Sequence, residues 1–210
     1  MDRSILSLKG FTIRATDGEI GKVDNFYFED ATWTIRYMVV QTGNWLSDRR
    51  VLVSPISVLK TDWHDRQIIL SLTRVQVRDS PDIDTAKPVS RQHEIQLYQY
   101  YGWDYYWSSP GIWEYRYKED KTQDPHLRSA NEVIGYHIHA EDGEIGHAED
   151  ILFDEKSWQI KSILLDTSNW WFGKKVVISP ETINSVVWEE RQIVVGVDRK
   201  NILKRPEFSP

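Results

Sequence analysis

Asp17-Gly18-Glu19-Ile20-Gly21 is met again, residue for residue, as Asp142-Gly143-Glu144-Ile145-Gly146. Around this run, residues 10–81 lie on 135–206 at a constant offset of 125 with no gap, and 23 of those 72 positions are identical. The identities include Trp33/Trp158, Asn44-Trp45/Asn169-Trp170, Ser54-Pro55/Ser179-Pro180, Trp63/Trp188 and Arg66-Gln67-Ile68/Arg191-Gln192-Ile193. Agreement at this level is duplication. The repeat is too long for a solenoid unit, so each copy is expected to fold as a unit of its own. A unit of roughly 70 residues buries only about 60% of its unfolded surface, which implies that the two copies pack on each other or on the segment between them.

Within each copy, apolar residues alternate over short runs and turn signals come every eight to twelve residues or so, the pattern of a small all-β barrel or sandwich. In copy one the pattern predicts strands over 11–16, 19–28, 33–41, 50–53, 58–63 and 67–72. Asp17-Gly18 is expected to be the two-residue turn of a hairpin, because both central positions of a type I′ turn need positive φ. Gly21 and Gly146 predict a bulge or tight bend. Ser54-Pro55 and Ser179-Pro180 end a strand. Short helices are predicted over 73–79 and 198–204, and a longer one over 90–101 with Ser90 as N-cap and Gly102 as stop. Ser129-Ala130-Asn131-Glu132 fits a capping box.

These features place copy one at 1–80, a linker with its helix and an aromatic-rich segment at 81–128, and copy two at 129–210. The order of signals is that of a known family: a DGEIG hairpin, a Trp-initiated strand, Asn-Trp before a basic strand start, Val-Leu-Val-Ser-Pro and a closing Gln-Ile strand. It resembles the PRC-barrel family, named for the cytoplasmic domain of the H subunit of the photosynthetic reaction centre; the C-terminal domain of the ribosome maturation factor RimM is a related barrel. The resemblance covers both copies. It implies a mainly β fold of two tandem small PRC-type β-barrels, each with a short helix after its strands, joined by a helical, aromatic-rich middle segment. It also implies a non-enzymatic bacterial protein that docks on other proteins. The chain shows neither the membrane helix of a reaction-centre H subunit nor the N-terminal domain of RimM. Both an accessory role in photosynthetic electron or proton transfer and a role in ribosome maturation stand as alternatives to a general adaptor.

Composition narrows the choice. A net charge of −6 and a pI near 5.5 argue against a nucleic-acid surface, which needs clustered Lys and Arg. There is no cysteine, hence no disulfide, thiolate metal site or thiol nucleophile. No apolar run approaches the roughly 20 residues of a membrane span, so a cytoplasmic protein is expected, with peripheral association with a membrane complex still open to it. The acidic residues of the hairpins and of copy two's long strand do not converge as a calcium site requires, since a strand sends alternate residues to opposite faces. His137 and His139 share a side at i, i+2 without a third ligand. No catalytic motif, cofactor site or metal site is expected. A small-molecule-binding barrel is disfavoured because barrels this small are filled by side chains.

Ten tryptophans in 210 residues imply either small cores filled by big side chains or exposed contact surface. The interaction candidates are Trp45, Trp170, Trp171 and Phe172 in equivalent loops, and Trp103, Tyr105, Tyr106, Trp107 and Trp113 in the middle segment. Each set either covers its own barrel or binds a partner, a second copy of the chain included.

Overall fold

The computed structural model describes residues 2–81, 91–106, 127–167 and 173–208. The first half runs β1 (Asp2–Ser4), β2 (Thr12–Ala15), β3 (Gly18–Glu29), β4 (Thr34–Gln41), β5 (Arg50–Val53), β6 (Val58–Asp62), β7 (Gln67–Leu70) and α1 (Arg74–Arg78). After α2 (Arg91–Tyr101), β8 (Leu127–Ser129) and α3 (Ala130–Val133), the strands recur as β9 (His137–Ala140), β10 (Gly143–Asp154) and β11 (Ile160–Asp166). Then follow β12 (Lys175–Ile178), β13 (Ile183–Val187), β14 (Gln192–Val195) and α4 (Arg199–Leu203). Each copy builds a curled sheet, in order β5-β4-β3-β2-β7-β6 and β12-β11-β10-β9-β14-β13, in which the first and last strands of the copy run parallel.

The hairpin differs from its expected form by one residue. Thr16-Asp17 make the turn, Ala15 pairs with Gly18, and neither turn residue has positive φ, whereas Gly18 stands at +148°. The Asp17 carboxylate is used elsewhere. It accepts the backbone N–H of Arg74 at 2.8 Å, as Asp142 accepts that of Arg199 at 2.8 Å, so each hairpin fixes the start of its copy's closing helix. The bulge expected at the second glycine is present in both copies as a register shift at Ile20 and Ile145. There the strand passes so close to its neighbour that a Cβ on Gly21 would lie 2.0 Å from the Gln41 carbonyl oxygen. The shoulder is set by the chain crossing, and only hydrogen fits.

Sheet membership does not follow chain order. β1 pairs with β10 and β8 pairs with β3, in equivalent registers: Arg3 opposite Phe153, and Arg128 opposite Phe28. The two turns after β3 and β10 also meet. Ile35 N–H donates to the Trp158 carbonyl at 2.9 Å and Ile160 N–H to the Trp33 carbonyl at 2.7 Å. Trp33 and Trp158 therefore stand just outside the strands they were expected to open, at φ +52° and +58°, stacked on Phe28 and Phe153. One apolar core runs through both copies, from Ile5 and Phe11 to Ile193 and Ile202. Shared burial answers the thin margin that each unit alone would have.

Two equivalent latches close the seam. Arg3 lies 4.3 Å over Trp63 and pairs with Glu155 at 3.3 Å; Arg128 lies 3.9 Å over Trp188 and pairs with Asp30 at 3.1 Å. The side chain of Arg128 is only 7% exposed against 30% for Arg3. Arg128→Ala is expected to cost about 2–3 kcal/mol in urea unfolding because it strands a partly buried carboxylate, and Arg3→Ala under about 1 kcal/mol. Gly21→Ala is expected to destabilise by about 2–3 kcal/mol in the same assay, since backbone must move to admit the methyl.

Candidate functional site

The expected aromatic candidates divide by place. Trp45 is half-buried over the end of its own sheet, its indole N–H donating to the Ile20 carbonyl and its ring covered by the Arg74 guanidinium at 4.4 Å. Trp103 stacks on Tyr101 at 4.3 Å, and Tyr105 and Tyr106 gather on Tyr98, so this end of the middle segment lies against α2 and the outer face of copy one. Trp107, Trp113, Trp170, Trp171 and Phe172 lie outside the described residues. His137 directs Nδ1 at Glu144, 2.7 Å away, and among the described residues no three His, Asp or Glu side chains converge as metal ligands.

α2 is pinned through a buried polar contact. Glu94 is fully buried and accepts hydrogen bonds from the hydroxyls of Tyr37 at 3.1 Å and Tyr106 at 2.7 Å. Burial, reinforced by the neighbouring Glu94 charge, pushes the Tyr37 phenol far above its ordinary pKa, so it stays a donor. Arg36 lies 3.7 Å over the Tyr106 ring, and this brings Tyr106 to the rim of a groove.

That groove, of about 690 Å³, runs along β6 between the two copies. One side is Ile56, Val58 and Leu59 of copy one; the other is the turn 155–158 of copy two, ending in Trp158. Asp154 holds that wall, accepting from the backbone N–H of Ser157 at 2.9 Å and of Lys156 at 3.1 Å and from the Ser157 hydroxyl at 2.9 Å. These bonds depress its carboxyl pKa well below the usual range. Ile56 and Leu59 are 58% and 66% exposed, the two most exposed large apolar residues among those described.

The duplication supplies an internal control. At the equivalent place a groove of about 270 Å³ lies between Trp33 and β13, and the residues at offset 125 from Ile56 and Leu59 are Glu181 and Asn184. The fold therefore does not require apolar side chains there. The other exposed apolar residues of copy one, Leu6 and Val75, likewise correspond at offset 125 to Asn131 and Lys200 in copy two. The loop tryptophans drew the eye in the sequence, but the signal that marks this groove is the loss of apolar character between copies at exposed positions.

The PRC-barrel domain family profile matches residues 3–77 and 125–202. The chain belongs to the PRC-barrel family. The two matched segments are its two tandem copies, and this family is a non-catalytic one. No curated protein matches the chain. Among the described residues no helix is long and apolar enough to cross a membrane.

Because folding lowers the Asp154 pKa, its contribution to stability is present above the unfolded value of about 4 and is lost as pH falls below it. Asp154→Asn is expected to lower Tm at pH 7, and the gap from the unmodified chain should narrow steadily below about pH 4 in thermal melts across pH.

Proposed function

We propose that this tandem PRC-barrel chain is a non-enzymatic protein-interaction module, an adaptor or assembly factor, whose docking face is the groove along β6. The observation that carries the reading is the divergence of the two grooves. Singly exposed leucines and isoleucines are ordinary. Two of them in one groove, beside Tyr106 and Trp158, make an apolar strip of the kind that marks a contact surface, and copy two shows that the same fold stands with glutamate and asparagine in their place. The seam supports this use, since the turn 155–158 that forms one wall is bonded to copy one through Trp158 and to its own strand through Asp154. The specific reaction-centre and ribosome-maturation roles rest on family resemblance alone.

Grafting copy two's residues onto copy one tests the reading. Ile56→Glu with Leu59→Asn changes only exposed positions, so Tm is expected to stay within about 2 °C, in line with the small effect of surface substitutions. In crosslinking from cells of the source organism followed by mass spectrometry, the protein partners captured by the unmodified chain should fall at least tenfold. Capture of the same partners by the graft at undiminished yield would remove the groove from consideration.

A further inference from the structure

We infer that the groove receives an acidic segment of a partner protein in extended conformation, carrying alternate apolar side chains and adding as a strand to the edge of β6. This rests on the reading of the groove as the docking face. β6 is the end strand of its sheet and, among the described residues, pairs with β7 alone. Even with the bulge at Leu59, alternation would turn part of β6 away from a groove on one face, yet Val58, Leu59, Lys60 and Thr61 all border it. A groove bordered by four consecutive residues lies along the strand's edge. Its natural occupant is another strand, which gains main-chain hydrogen bonds from the edge and side-chain contacts from the walls. The far wall, 155–158, belongs to the established seam between copies, so the incoming segment would extend an interface already present.

Charge selects the chemistry. Of the ionic groups around the groove, Glu155 is taken by Arg3 and the Trp63 indole, and Arg36 by Glu29. Lys60 pairs with Asp62 at 2.6 Å on its own strand, with Asp65 also near, and remains 63% exposed; Lys156 forms no ion pair among the described residues. The corresponding positions of the other groove are Ser185 and Ala31. Two lysines have thus been placed beside the apolar strip in a chain whose net charge is −6. A lysine on an edge strand can serve only to discourage pairing. Were that its whole purpose, the equivalent edge at β13 would need one too, and it carries none. Two lysines beside an apolar edge attract a segment that supplies carboxylates together with Leu, Ile or Val.

A display library of randomised twelve-residue peptides selected on the full chain, with counter-selection on Ile56→Glu/Leu59→Asn/Lys60→Ser/Lys156→Ala, tests this. Enriched sequences should alternate apolar residues with Asp or Glu. A synthetic peptide of that consensus should bind the quadruple variant at least tenfold more weakly, bind the unmodified chain more weakly as salt is raised, and protect β6 amides from hydrogen exchange. The single variant Leu59→Asn should also weaken it, which keeps the test independent of the quadruple variant's folding. Basic or uncharged consensus sequences, apolar residues at helical spacing, no enrichment over the variant, or a groove filled by a second copy of the chain would each overturn the inference. If the graft loses its cellular partner while the library yields no acidic strand, docking stands and this chemistry falls.

Discussion

The reciprocal hydrogen bonds between the turns after β3 and β10, from each Ile N–H to the opposite Trp carbonyl, are the constraint on which the molecule hangs. They require Trp33 and Trp158 to hold a left-handed backbone that a bulky residue reaches only at a cost, offset here by stacking on Phe28 and Phe153. With that pair of contacts in place, β1 and β8 reach across to the other copy, the arginine latches close, and two small cores become one. The turn 155–158 then stands opposite β6. The groove is a by-product of how the copies are joined.

Local elements were largely legible from residue pattern because their causes are local. Alternation gave the strands to within a residue or two, and Thr73 with Gln76 or Ser129 with Glu132 N–H start short helices through bonds to groups three residues away. The hairpin turn slipped by one because Asp17 caps a helix 57 residues ahead, an interaction with no local trace. The exchange of β1 and β8 was illegible for a similar reason. Three residues are too few to show strand periodicity, and their pairing partner lies in the other copy. One sign was present: Arg3-Ser4 repeats as Arg128-Ser129, which extends the offset of 125 beyond the aligned stretch.

The proposed docking groove was harder to read than the fold. Of the aromatic candidates, Trp45 has its indole N–H bonded to Ile20 and Trp103 is stacked on Tyr101, while Trp107, Trp113, Trp170, Trp171 and Phe172 lie outside the described residues. Ile56 and Leu59 look like ordinary strand-end residues in the sequence, and their exposure follows from the Pro55 turn and the bulge between Val58 and Lys60. Comparing the copies position by position for apolar-to-polar exchange is the reading that singles them out.

The swapped edge strands also bear on how such a chain could become asymmetric. Two separate single-copy chains exchanging β1-like strands would form a twofold dimer, where any substitution appears on both sides at once. Joining the copies in one chain lifts that tie. One groove can carry leucine and lysine while its twin carries asparagine and serine, and in the proposed docking role a self-complementary pair becomes a one-sided platform with a single address for a partner.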